Sequence, residues 1–179
     1  MLVVLSGTNR PGSRSRAVAG LAQEHLKAIG REVTLLDLRD LPTGLFAPEA
    51  YVTKPEGFAR FQDAVLAAEG IVTVVPEYNG SYPGILKYFI DMLRFPESLV
   101  GTPAAFIGIA AGPNGGLRAV EQLEMVFQYR NAHLFGRRLF IAAVNRILDD
   151  GRLHDPAIEA RLHSMLAGFD DFCRRLSGP

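Results

Sequence analysis

Two stretches of this sequence hold the residue types and spacings that suit chemistry. The first, Gly7-Thr8-Asn9-Arg10-Pro11-Gly12-Ser13-Arg14-Ser15-Arg16, combines hydroxyls at Thr8, Ser13 and Ser15 with two glycines and three arginines. It follows the apolar run Leu2 to Leu5 and leads into a helical pattern. Hydroxyl donors, guanidinium groups, free N–H groups and the positive end of a helix dipole, met at one point, describe a site for a phosphate. The loop has no Gly-Lys-Ser or Gly-Lys-Thr of the Walker kind and no Gly-x-Gly-x-x-Gly fingerprint. A phosphatase-type loop would need a cysteine nucleophile here, and the one cysteine in the chain is Cys173. The loop therefore suits holding a phosphate rather than attacking it; the alternative is a solvated Ser/Arg-rich loop.

The second stretch is Pro76-Glu77-Tyr78-Asn79-Gly80-Ser81-Tyr82-Pro83-Gly84, set between an apolar strand, Ile71 to Val75, and an amphipathic helix. Pro76 blocks further ladder bonding and Asn79-Gly80 is turn chemistry. Ser81 can serve as N-cap and Pro83 suits the first turn of a helix. The backbone N–H groups from Glu77 to Ser81 are then expected to lack strand partners and to face the polar edge of a flat heterocycle. The alternative is an ordinary strand-to-helix turn. A third loop, Gly112-Pro113-Asn114-Gly115-Gly116, has a permissive tip that lets backbone approach a ligand, or makes a plain tight turn.

The elements that must position these loops follow from periodicity. Leu2 to Leu5, Glu32 to Leu38, Ile71 to Val75, Pro103 to Ala111 and Leu139 to Val144 read as five strands. Helices are expected after Ser15 with Gly30 as stop, over Gly57 to Glu69, from Pro83, from Leu117, and from Pro156 with Asp155 as its cap. Arg39 to Lys54 reads as a long irregular segment carrying Phe46 and Tyr51. Alternation of strand and helix with right-handed crossovers builds one α/β domain, residues 1–179. Its fold is a doubly wound five-stranded parallel sheet of order 2-1-3-4-5 with helices on both faces. In that order the first and third strands are neighbours, so the phosphate loop and the Pro76 to Ser81 loop lie side by side. A mononucleotide fits the pair.

Composition narrows the function classes. Of 179 residues 48% are hydrophobic and 21% charged, and 19 Lys and Arg balance 19 Asp and Glu. Zero formal charge gives no electrostatic case for nucleic acid or an anionic membrane as main partner. A single cysteine excludes an internal disulfide framework and a multi-cysteine metal site, and no metal site is expected. Cys173, on the apolar side of the last helical pattern, reads as a packing residue. No stretch approaches membrane-spanning length, and a cytoplasmic protein is the default expectation.

The chain resembles the NAD(P)H-dependent FMN reductase family of flavodoxin-like proteins, which includes quinone, azo-dye and chromate reductases. The resemblance rests on three ordered blocks: Gly7 to Ser15, Pro76 to Ser81 continuing through Pro83-Gly84-x-Leu86-Lys87-x-x-x-Asp91, and Gly112 to Gly116. It implies that Thr8, Arg10, Ser13 and Ser15 hold the FMN phosphate, and that Pro76, Glu77, Tyr78, Asn79, Gly80 and Ser81 contact the isoalloxazine ring. Gly112, Gly115 and Gly116 would flank the ring's edge. It further implies NADPH or NADH as hydride donor, a small-molecule electron acceptor, and a homodimer or homotetramer with the helix after Pro83 near the interface. No catalytic side chain is obligatory, because the flavin carries the chemistry. Two departures stand out: Tyr88 replaces a small polar residue, and Pro113-Asn114 replaces a Ser/Gly-rich tip. The rival reading is a non-enzymatic electron carrier of the flavodoxin type; such carriers are strongly acidic for docking, whereas this chain is neutral with a basic first loop.

Overall fold

The computed structural model describes residues 1–178. Where apolar residues run unbroken the chain extends, as β1 (Leu2–Ser6), β2 (Val33–Asp37), β3 (Gly70–Pro76) and β4 (Pro103–Ile109). Of these β1, β3 and β4 are buried along their whole length, as strands covered on both faces must be. All pairings among them are parallel, in the order β2-β1-β3-β4, which is the doubly wound order read from the sequence.

The fifth position is split. β5 (His133–Leu134) pairs with the start of β4, and β6 (Leu139–Ile141) with its end. The strand expected over Leu139 to Val144 thus begins where predicted but stops at Ile141. Between the two pieces, Phe135 turns to Phe169 and Phe172, with ring centroids 5.8 and 5.4 Å away, and Gly136-Arg137-Arg138 breaks the apolar pattern.

Helices close both faces. On one side α1 (Arg14–Ala28) packs with the long C-terminal helix, and on the other lie α2 (Ala59–Leu66), α3 (Gly84–Met92) and α4 (Leu117–Tyr129). A one-turn α5 (Val144–Ile147) follows β6, and a hairpin of β7 (Leu148–Asp149) and β8 (Arg152–Leu153) leads to α6 (Pro156–Leu176). Asp155 caps α6 as expected, accepting the N–H groups of Ala157 and Ile158 at 3.0 and 3.1 Å. Such a cap contributes about 1 kcal/mol. The segment read as irregular after β2 is three short 3₁₀ turns that bury Leu38, Leu45 and Ala50, fastened to α3 by the Tyr88 hydroxyl donating to the Leu45 carbonyl at 2.6 Å. Among the described residues no helix is long and apolar enough to cross a membrane.

At the amino edge of the sheet Arg31 pairs with both Glu69 and Asp170, and Arg174 reaches Asp170 at 2.9 Å, so α6 is tied to the α1–β2 turn and to the start of β3. Cys173 lies one turn of helix beyond, 1% exposed, and burial, reinforced by the Asp170 carboxylate, pushes its thiol up to about 12. The folded protein keeps this proton, whereas the unfolded chain releases it above the ordinary value of 9.0. Stability therefore falls as pH rises from that value toward about 12. Urea unfolding midpoints of wild type and Cys173→Ala should converge with increasing alkalinity above about pH 9. In the native wild type the thiol should resist a disulfide reagent near neutral pH until denaturant is added.

Candidate functional site

The site begins with an approach that only glycine permits. Gly7 leaves β1 with its N–H donating to the Val74 carbonyl at 2.9 Å, and a Cβ there would stand 2.6 Å from that same oxygen. The chain then turns at Thr8, which is buried, and its Oγ1 accepts the Arg10 N–H at 3.3 Å. Ser13 caps α1, its hydroxyl accepting from the Arg16 N–H at 3.2 Å. The first-turn N–H groups of Arg14 and Ser15 have no chain acceptor among the described residues, and no acidic side chain occupies that turn. Positive helix dipole, unpaired N–H groups and hydroxyls converge at a helix start with no acidic side chain in its first turn, which is the donor set a phosphate needs.

The arginines of this loop divide. Arg16 turns toward the end of β2, its Nε 3.4 Å from Asp37 Oδ2. Arg10 and Arg14 line the cleft. The former fastens α1 to the sheet and the latter two leave cationic charge beside the helix N-terminus.

The second loop is more tightly built than its sequence suggests. Glu77 donates its N–H to the Ile109 carbonyl at 3.1 Å, prolonging the contact with β4 past Pro76. Tyr78 and Ser81 then exchange reciprocal backbone bonds of 2.7 and 3.0 Å. Asn79 and Gly80 between them sit at φ 52° and 77°, the conformation of a tight hairpin turn. The expectation of free N–H groups from Glu77 to Ser81 is accordingly narrowed to Asn79 and Gly80. Asn79-Gly80 chemistry closes the loop on itself and consumes the donors on either side. Nor is Ser81 the cap of α3. Pro83 holds that position without a side-chain bond, two residues nearer the helix, and the Ser81 hydroxyl donates instead to Gln122 Oε1 on α4 at 2.6 Å.

The two loops meet at one bond, Thr8 Oγ1 to Tyr78 Oη at 2.9 Å, across 70 residues of sequence. Between them opens a cleft of about 320 Å³ at the carboxyl edge of the sheet. Arg10, Ser13, Arg14 and Ser15 line it on one side, and Pro76, Glu77 and Tyr78 on the other. Thr8 lies behind Tyr78, and the Asn79-Gly80-Ser81 turn continues beyond it.

Gly112, Gly115 and Gly116 are placed differently. A Cβ on Gly116 would lie 2.8 Å from the Ile109 nitrogen and one on Gly115 2.9 Å from Phe140 Cβ, so both glycines set the start of α4 down on β4 and β6. Gly112 is open on its Cβ side and accepts the Ala143 N–H at 3.2 Å. The cleft wall nearest them is made by Ala110 and Ala111 together with Val144 and Asn145 of α5, the Val144 N–H donating to the Ala110 carbonyl at 3.0 Å. Asn145 carries a signal that the sequence reading passed over, a polar residue just after a parallel strand. Gln122 carries none, since only the fold brings it 41 residues back to Ser81.

Of two larger concavities, the one of about 680 Å³ between α3 and α4 reaches the turn only through Tyr82 and Gln122, and the one of about 630 Å³ lies beside α2. The first is walled by Ile90, Phe95, Met125 and Tyr129 and lacks the converging backbone donors of the smaller cleft.

Comparison with known proteins gives a consistent picture. Residues 1–145 match the family described as NADPH-dependent FMN reductase. An NAD(P)H-dependent FMN reductase of Pseudomonas aeruginosa is 29% identical over 181 residues, covering 97% of this chain and 95% of that protein. A quinone reductase of Escherichia coli is 30% identical over 184 residues, covering 98% and 96%. Among solved structures, a flavoenzyme NAD(P)H:(acceptor) oxidoreductase from Paracoccus denitrificans superimposes with a TM-score of 0.83 at 24% identity, covering 97% of each chain.

Proposed function

The chain belongs to the NADPH-dependent FMN reductase family of oxidoreductases, and from that premise we propose that it transfers hydride from NAD(P)H through bound FMN to a small acceptor. The acceptor class is a flavin, quinone, azo compound or metal oxyanion. The observation that carries this reading is the Thr8–Tyr78 bond of 2.9 Å, which sets a phosphate-type donor cluster and the Pro76-Glu77-Tyr78 segment on either side of one cleft, with the Asn79-Gly80 turn following directly on Tyr78. That is the division of contacts a flat ring on a phosphorylated tail requires. The residues present suit FMN. Arg10, Ser13, Ser15 and the start of α1 would take the phosphate, Pro76 to Ser81 the ring, and Gly112 to Gly116 would brace the loop beside it.

In this reading the protein binds and orients. Bound FMN supplies the two-electron hydride chemistry. Arg10 and the α1 N-terminus neutralise the phosphate, and Thr8 holds Tyr78 so that the adjoining turn keeps its place. The free N–H groups of Asn79 and Gly80 would offer fixed dipoles to the polar edge of the ring, of the kind that stabilise negative charge in an oxyanion hole. No side chain need give or take a proton. One open face serves donor and acceptor in turn, so the kinetics are ping-pong.

A second copy of the chain completes the reading, as a homodimer or a homotetramer. The α3–α4 face leaves Phe95, Met125 and Tyr129 exposed by 67, 61 and 77% beside the Lys87–Asp91 pair. An acid and a base four residues apart on one helix complement themselves about a two-fold axis. Wild type should sediment as a dimer or larger and Met125→Glu as a monomer; a monomeric wild type would remove the second copy from the reading.

Titrating the FMN-reconstituted protein anaerobically with NADPH, and separately with NADH, tests the activity. One equivalent should bleach the flavin band, and initial-rate lines with a quinone acceptor should be parallel. Bound flavin that neither nucleotide bleaches would leave the carrier reading in its place. Arg10→Ala should weaken FMN binding by about tenfold, the equivalent of one charge-assisted bond partly screened by solvent. Unchanged affinity in the folded variant would take Arg10 out of the site.

A further inference from the structure

The turn at Asn79-Gly80 is gripped from behind by a side chain that no motif contains. Gln122, half-buried on α4, donates its amide Nε2–H to the Gly80 carbonyl at 3.2 Å and accepts the Ser81 hydroxyl on Oε1 at 2.6 Å. One amide thus satisfies an acceptor and a donor on consecutive residues of the turn. The reverse orientation would set its oxygen against the Gly80 carbonyl, so the two bonds fix the amide as well as the turn. Leu123 and Phe127 bury the adjoining face of α4, giving Gln122 a rigid base.

The geometry points to Gln122 as a positioning residue for the cofactor: by holding the Gly80 carbonyl and the Ser81 hydroxyl toward α4, it keeps the unpaired Asn79 and Gly80 N–H groups, in the turn that follows the cleft-lining Tyr78, preorganised for the ring's reduced form. This inference rests on the proposed binding of FMN. The turn needs such a hold. Asn79-Gly80 favours this left-handed turn by itself, but a favoured turn shape does not fix how the turn sits against the sheet. The reciprocal Tyr78–Ser81 bonds close the turn but leave the tilt of its central peptides free to vary. Gln122 on one flank and Thr8, through Tyr78, on the other remove that freedom.

A donor that is held in place gains most where charge is greatest. Reduction adds negative charge to the ring's polar edge, so fixed N–H groups bind the reduced form more strongly than the oxidised one. Loss of the clamp should therefore act on the reduction potential, whereas a merely structural glutamine would change stability alone.

The test compares wild type with Gln122→Leu, Gln122→Glu and Ser81→Ala. FMN affinity is read by fluorescence quenching, the midpoint potential of bound FMN by equilibration with a reference dye, and stability of the apoprotein by thermal unfolding. Gln122→Leu removes both bonds and should favour oxidised over reduced FMN by about tenfold, a midpoint about 30 mV more negative for a two-electron couple. Gln122→Glu keeps the acceptor for Ser81 but loses the donor to Gly80 and should shift the same way. Ser81→Ala should shift it less. A midpoint unchanged in all three variants, with FMN bound, overturns the inference and leaves the proposed function standing. The same holds if only the unfolding temperature moves. Failure of wild type to bind FMN removes the proposed function and the inference with it.

Discussion

Everything at the carboxyl edge depends on how closely β1 and β3 approach where they end. Gly7 donates to the Val74 carbonyl at 2.9 Å in a space where a Cβ would stand 2.6 Å from that oxygen. Because the strands are parallel neighbours, the loops that follow leave the sheet in the same direction and from adjacent points. Thr8 and Tyr78, one residue past Gly7 and two past Pro76, are then within a hydrogen bond of each other. A side chain at position 7 would part the strands and carry the anion cradle away from the turn, even if each loop kept its own shape.

The sheet order, the Gly30 stop after α1 and the adjacency of the two loops could be read from the sequence, because they follow from local pattern and from the handedness of crossovers, whereas the helix expected over Gly57 to Glu69 is the shorter Ala59–Leu66. What could not be read was which donors the turn itself would use. Asn79-Gly80 marks a turn, but whether its flanking N–H groups face a ligand or one another depends on how tightly it closes. Ser81 shows the same limit: its type is right for a cap, but the helix begins at Gly84 with Pro83 in the cap position, and the Ser81 hydroxyl is left to donate to a glutamine 41 residues away. The glycines at 115 and 116 carried the right signal for a close approach, and the backbone they approach is that of β4 and β6. The split of the fifth strand turns on Phe135, whose ring finds α6 rather than the sheet edge.

The two edges of the sheet are built on opposite principles. At the amino edge charges are matched, with Arg31, Glu69, Asp170 and Arg174 joining α6 to β3. At the carboxyl edge they are left open: α1 begins without an acidic side chain, and Arg10 and Arg14 face the cleft beside N–H groups that have no chain acceptor among the described residues. Unmatched donors lower the stability of the free protein relative to a chain that satisfied them internally, and they are tolerable only because water reaches them.

That arrangement is one by which a chain neutral overall would hold an anion, as the proposed function requires. Net charge governs encounter at distances beyond the screening length, about 8 Å at physiological ionic strength, whereas the cradle acts at contact. A phosphate in the cleft would meet a helix dipole, hydroxyls and two guanidinium groups, with Glu77 the one acid in the cleft lining. Arg16 is withheld from that set by Asp37, which keeps the cradle from gathering three arginines at once. Pairing one cation off to the scaffold limits the repulsion among those that remain, so the loop can be ordered before its ligand arrives. Preorganisation at this edge is therefore electrostatic as much as steric, and it follows from which of three neighbouring arginines finds a carboxylate.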